Sequence, residues 1–197
     1  MRKLTAIGIG LAVGTFGFTA LAEDAPKAAP ADSSGASASS DGLKISAAAL
    51  VGYGLGKDPN VYGLGLGLRA GVNVAGNIYL GGTFVYHLGK SVDSGPVTIK
   101  YGVQYYGVEA GYDIAAGPAT LRPYVGLGFA SAHATVCYSG ACGSASGDSK
   151  LYVAPGAALL FGDKVFGGVD VRYVLVTGTG GSDASALGVF GTIGYKF

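Results

Sequence analysis

From residue 43 onward the sequence predicts an all-β protein: an eight-stranded antiparallel up-and-down β-barrel that crosses a membrane. Three observations predict it. Apolar side chains recur at every second position through eight segments, the period of a strand with two unlike faces. Mean hydropathy is +0.43, yet beyond the N-terminal stretch there is no apolar run of about 18 residues from which a membrane helix could form. Glycine is abundant, 37 of 197 residues, and sits inside the alternating segments without a collagen-like period. The formal net charge of +1 gives no indication of a nucleic-acid partner.

The N-terminal elements are different in kind. Met1-Arg2-Lys3 is a basic flank, Leu4 to Thr19 is apolar and rich in Gly and Ala, and Ala20-Leu21-Ala22 has the small-x-small form of a cleavage site. Residues 1–22 therefore read as a signal peptide, and the exported chain is expected to start at Glu23. A retained anchor helix is the alternative. Without Arg2 and Lys3 the exported chain would carry 11 basic against 12 acidic residues. Residues 23–42 (EDAPKAAPADSSGASASSDG) lack large apolar side chains, so they cannot offset the entropy of ordering. They are predicted to form a disordered periplasmic linker, serving as a tether or as a contact for peptidoglycan or a partner.

The barrel is assigned to residues 43–197. The first segment sets Leu43, Ile45, Ala47, Ala49, Val51 and Tyr53 against Lys44, Ser46 and Gly52, before a turn at Gly56 to Asn60. The second sets Tyr62, Leu64, Leu66, Leu68 and Ala70 against Gly63, Gly65, Gly67 and Arg69, an alternation that cannot persist as a helix. A turn at Val74 to Asn77 leads to the third, with Ile78, Leu80, Phe84, Tyr86 and Leu88 opposite Tyr79, Thr83, Val85 and His87. A longer connection is expected from about Gly89 to Val97. The fourth places Tyr106, Val108, Ala110 and Tyr112 against Tyr105, Gly107, Glu109 and Gly111 and ends near Ile114. After Ala115 to Thr120, the fifth sets Leu121, Val125, Leu127 and Phe129 against Arg122, Tyr124, Gly126 and Gly128. A polar stretch from about Thr135 to Ser149 is expected to be an outer loop. The sixth carries Leu151, Val153, Ala157, Leu159 and Phe161; the seventh sets Val165, Val169, Val171, Tyr173 and Leu175 against Asp170 and Arg172. A loop from about Thr177 to Ser185 precedes the eighth: Leu187, Val189, Gly191, Ile193, Tyr195 and Phe197.

Long and short connections alternate, as outer loops and inner turns do in bacterial barrels. Closure removes the sheet edges that hydrocarbon cannot satisfy. In most segments charges oppose the large apolar residues, which puts the apolar face outward and the polar face inward. Lys100 and Gln104 have lipid-side parity, which places them at the outer rim or near a bulge.

The leader, the roughly ten-residue alternating strands and the last strand ending in Tyr195-Lys196-Phe197 resemble the small outer-membrane β-barrel family, including OmpA-like and OmpX-like barrels. The resemblance implies residence in the cell outer membrane and contact with its lipid and lipopolysaccharide. It also implies that Tyr195 and Phe197 are part of the signal read by the barrel-assembly machinery during biogenesis. It is specific for architecture and says little about activity.

Seven charges are expected in the lumen: Lys44, Arg69, Glu109, Arg122, Asp170, Arg172 and Lys196. A bore of eight strands is just wide enough for side chains to fill, so these should pair across it. They act either as a plug or as the lining of a narrow polar path, since inward glycines relieve crowding and also leave room for water. The Gly63 to Gly67 run is a strand and not a nucleotide loop, lacking the strand-turn-helix context. Cys137 and Cys142, five positions apart in an exported chain, read as a disulfide. A metal site with His133 would have three ligands and no clear fourth. His87 with Ser91 and Asp93, and Ser131 with His133, are the pairings that a lipid A-modifying enzyme would need. Some small barrels are such enzymes, but the local His-x-Ser arrangement associated with the deacylase group is missing here. The leading expectation is a non-enzymatic integral outer-membrane protein whose surface loops have structural or interaction roles, including toward a surface or host partner. A porin-like narrow channel for small or hydrophobic solutes, as in OmpW-like barrels, is the first alternative, and a lipid A-modifying enzyme the second. No cofactor is expected.

Overall fold

In a computed structural model, residues 43–56, 62–74, 77–177 and 185–197 are described. The expected signal peptide and linker lie outside them, as do most of the expected first turn, Ala75-Gly76 and most of the loop before the last strand. Eight long strands form the staves: β1 (Lys44–Gly56), β2 (Leu64–Val74), β3 (Ile78–Ser94), β4 (Val97–Tyr112), β6 (Ala119–Tyr138), β8 (Lys150–Phe161), β9 (Val165–Val176) and β10 (Ala186–Lys196). Two short strands, β5 (Ile114–Ala116) and β7 (Ala141–Ser146), are annexes that pair with the two ends of β6. Every pairing is antiparallel, and β1 against β10 together with β4 against β6 completes the ring.

The register fixes the shape. One circuit of paired residues runs Pro123, Ala157, Val171, Val189, Tyr53, Leu64, Leu88, Gly102 and His133. It returns to β6 ten positions beyond its start, so the shear is ten for eight staves. With strands about 4.8 Å apart and a rise of about 3.3 Å per residue, that shear tilts them by about 40°. This is the tilt of barrels that cross outer membranes.

Alternation has the predicted sense. Leu64, Leu66, Leu68, Val108, Val125, Leu127, Val169 and Ile193 are exposed on the outer wall, while Arg69, Glu109, Arg122, Asp170 and Arg172 are buried inside. Large aromatics fill the bore where glycine leaves room. A methyl group on Gly71 or Gly81 would collide with the Tyr79 ring, and one on Gly156 would come within 2.6 Å of Tyr124. The space beside these inward glycines is thus occupied by neighbouring rings, which relieves crowding.

Three expectations need correction. The connection from Gly89 to Val97 is largely strand: β3 and β4 pair as far as Ser94 and Val97, with a bulge between Leu88 and Ser91. Most of the stretch from Thr135 to Ser149 is also strand, a hairpin turning at Ser139-Gly140, both at positive φ. Its Gly, Ser and Ala residues have weak strand propensity, which cross-strand hydrogen bonds and the disulfide override. Tyr62, assigned to the lipid face, is buried; it precedes the paired part of β2 and its ring turns inward against His87.

Candidate functional site

Two parts of the molecule bring functional groups together: the middle of the lumen and the outer extension of the wall. In the lumen, β2, β4, β6 and β9 supply Arg69, Glu109, Tyr124, Asp170 and Arg172. Arg69 Nη2 donates to Asp170 Oδ2 at 2.8 Å, and Arg172 Nε donates to Asp170 Oδ1 at 2.8 Å. Arg172 Nη1 reaches Glu109 Oε1 at 3.2 Å, and the Tyr124 hydroxyl donates to Asp170 at 2.8 Å. Arg69 Nε lies 2.8 Å from Glu109 Oε2 but is poorly aligned for a hydrogen bond, so that approach is an ion pair. Two guanidiniums and two carboxylates balance in charge and span the bore. Above them Tyr105, Tyr152 and Phe190 pack with Leu50 and Val85. His87 is packed against Tyr62, Tyr105 and Phe190.

The other expected lumen charges stand apart. Arg122 is bonded to Asp113, with Nη2 to Oδ2 at 2.8 Å, and lies over the Tyr79 ring. Lys44 and Lys196 line a half-open polar recess at the periplasmic mouth with Ser46, Asn73 and Asp113. Sequence reasoning misses Asp113 because it sits at the end of a segment, beyond the reach of alternation. Burial alone would push its carboxyl up, but hydrogen bonds from Arg122 and Asn73 and the Arg122 charge hold it below its ordinary range.

The outer extension consists of the upper ends of β3, β4 and β6 together with β7. Here the faces exchange character. Val92, Val97, Ile99, Tyr101, Val136 and Tyr138 have inward parity, whereas Thr98, Lys100, His133, Thr135 and Ser144 point outward. The inward apolar face is incompletely covered by the described residues: Val136 is 45% and Tyr138 60% exposed. Lys100 and Gln104 keep outward parity, and the β3 bulge lies beside Lys100.

The Cys137–Cys142 disulfide ties β6 to β7 across a directly opposed pair. Among the described residues β7 pairs with β6 alone, so its other edge is open. A two-residue turn makes Tyr138 and Ala141 the hydrogen-bonded closing pair. Alternation from there directs the backbone groups of Cys142, Ser144 and Ser146 to the open edge. All six β7 residues are exposed, and none is charged or Pro, the usual guards of an edge.

The pairings weighed for an enzyme are not assembled. His87 points into the lumen while Ser91 and Asp93 lie on the opposite face. His133 and Ser131 share the outer face, where Tyr86 bonds the His133 Nε2 and Gln104 bonds Ser131.

The family model "Outer membrane protein beta-barrel domain" matches residues 8–197. The chain belongs to this family. Outer-membrane barrels are therefore its proper comparison, and the outer membrane is where it resides. Neisserial surface protein A superimposes with a TM-score of 0.58 at 14% identity, covering 79% of this chain and 97% of that one. A major outer membrane protein of Thermus thermophilus gives a TM-score of 0.60 at 11% identity, covering 79% and 99%. Ail, the attachment invasion locus protein of Yersinia pestis, gives 0.51 at 18% identity, covering 79% and 97%. At these identities the likeness is one of fold. No curated protein sequence matches the chain.

Proposed function

We propose that this barrel is a non-enzymatic anchor whose filled bore supports an outer extension that binds an extended polypeptide. The observation that carries the reading is the open edge of β7 beside the apolar inner face of Val136 and Tyr138. Strand addition there would supply backbone hydrogen bonds, and alternate side chains of the added strand would cover that face. The disulfide supports this by holding the edge in register before a partner arrives. A second copy of the chain is a poor partner. Two barrels in one membrane share the direction of its normal, so a two-fold axis would bring β7 strands together in parallel at equal height, without hydrogen-bond complementarity. Ail has been crystallised with the heparin analogue sucrose octasulfate. A polyanion fits this chain less well, because Asp93 shares the extension with Lys90 and Lys100.

The channel reading is weaker because neutral ion pairs and close-packed rings occupy successive levels of the bore. We also infer that Tyr195 and Phe197, paired at 5.1 Å on the last strand, act in assembly, and that export removes residues 1–22. The test of the binding reading uses a displayed library of extended peptides panned on vesicles bearing the barrel. Ser144→Pro removes an open-edge N–H while leaving the backbone bonds to β6 intact, and Ser144→Ala controls for the lost hydroxyl contact with Thr135. Selected peptides should bind the wild type and lose at least about tenfold in affinity on Ser144→Pro, the equivalent of about 1.4 kcal/mol. Equal affinity, or no peptide selected above empty vesicles, would contradict the proposal.

A further inference from the structure

The periplasmic end of the lumen is a blind cup. Lys44 pairs with Asn73, and Ser46 with both Lys196 and Gly71, so two successive inward rows of β1, β2 and β10 meet at this mouth. Thr120 of β6 and Asn77 complete a half-open recess of about 190 Å³. Backbone bonds from Lys196 to Lys164 at 2.7 Å and from Phe197 to Ile45 at 2.8 Å pin its rim. Arg122 closes the floor, 3.7 Å from the centroid of the Tyr79 ring, and separates the cup from the charged layer in mid-lumen.

Floor and rim differ in what they can still bind. Asp113 accepts from Arg122 Nε and Nη2 and, at 2.7 Å, from Asn73 Nδ2, so its carboxylate is neutralised and fully bonded. The rim carries the ammonium groups of Lys44 and Lys196. Lys196 is half-buried, its Nζ lies 5.4 Å over the Phe166 ring, and it has no ion pair among the described residues. The neutral groups beside them are chiefly acceptors. Ser46 donates to the Gly71 carbonyl and Asn77 Nδ2 to the Tyr112 hydroxyl, each at 3.4 Å, which leaves Ser46 Oγ and Asn77 Oδ1 able to accept. The Thr120 hydroxyl has no partner among the described residues.

The complementary ligand therefore carries negative charge beside N–H donors. Inorganic phosphate brings acceptors and would leave Ser46 and Asn77 unmatched. An inner-leaflet phospholipid headgroup lies outside the wall, whereas these side chains point into the bore. A peptide end brings both kinds of group, and a blind cup of this size admits an unbranched chain end rather than a passing strand. We infer that the cup captures the acidic C-terminal end of a periplasmic polypeptide. Its α-carboxylate and a neighbouring acidic side chain meet Lys196 and Lys44, and its amide N–H groups meet Ser46 and Asn77. The cup lies at the opposite end of the barrel from β7 and does not depend on strand addition there.

Isothermal titration calorimetry of the full chain in nanodiscs at low salt tests it. The probes are an N-acetylated peptide ending in Glu-Ala with a free carboxyl, the same peptide C-amidated, the stem tetrapeptide of the cell wall, and inorganic phosphate. One free-acid peptide should bind per barrel. Amidation, Lys196→Gln and Lys44→Gln should each lower its affinity at least about fivefold, as loss of a partly screened charge-assisted hydrogen bond does. Lys44 is exposed, and heat-modifiable gel mobility verifies folding of both variants. No saturable binding, or unchanged affinity in either folded variant, would overturn the cup. Phosphate binding as tight as the peptide would overturn the peptide assignment. Tighter binding of the stem tetrapeptide would give the cup to the cell wall and overturn the polypeptide partner.

Discussion

The membrane band and the outer extension are continuous strands with opposite polarity. On β6, Leu121, Val125, Leu127 and Phe129 point outward within the band, with Arg122 and Tyr124 inside. Further along the same strand Thr135 points outward and Val136 inward. Strand period is unchanged, so the reversal comes from residue choice. It marks where the solvent outside the wall changes from hydrocarbon to water. The lumen side changes too: in the band, charges are paired and rings fill the space beside Gly71, Gly81 and Gly156, whereas the extension leaves an apolar face and a strand edge open. The band is a finished surface; the extension is not.

Substitutions can break this contrast. Removing one acid from the closed layer should have the largest effect. Glu109→Ala leaves Arg69 and Arg172 sharing one carboxylate, and urea unfolding in vesicles should show a loss of about 3–5 kcal/mol. Leu66→Arg, outward and central in the band, should cost about 2–4 kcal/mol by the same assay. Replacing both cysteines by serine should remove about 2 kcal/mol of loop constraint, confined to the hairpin. Hydrogen exchange should then quicken in β7 while the band is unchanged. Thr135→Arg, outward on the extension, should leave stability within about 0.5 kcal/mol. Similar costs for the two arginines would erase the boundary between band and extension.

A further small effect concerns pH at the periplasmic mouth. Asp113 is held below its ordinary range in the folded state, so it contributes stability that is complete above its unfolded value. That contribution is lost as pH falls through the depressed folded value, below the usual carboxylate range. Asp113→Asn should flatten the acid limb of the stability curve.

The band is legible in the sequence because its two solvents, lipid and packed lumen, impose one unbroken period of two. The inward positions of Arg69, Glu109, Asp170 and Arg172 follow from that period alone. Which of them meet does not, because partners such as Arg69 and Asp170 are 101 positions apart and are joined by shear. Arg122 pairs instead with Asp113, a residue outside the alternation. The extension reads as loops because Gly, Ser and Thr dominate it and interrupt the apolar pattern. Its signal is nonetheless present in Val97, Ile99, Tyr101 and Val103 alternating with Thr98, Lys100 and Gly102. The inverted parity of Lys100 and Gln104 is the mark of the boundary.

Single-channel recording in planar bilayers tests most directly whether the band is closed. The wild-type barrel should stay silent at potentials where open barrels conduct. Steady, ion-selective steps from the wild type, altered in selectivity by Glu109→Ala, would contradict the closed layer and return the lumen to the role of a channel.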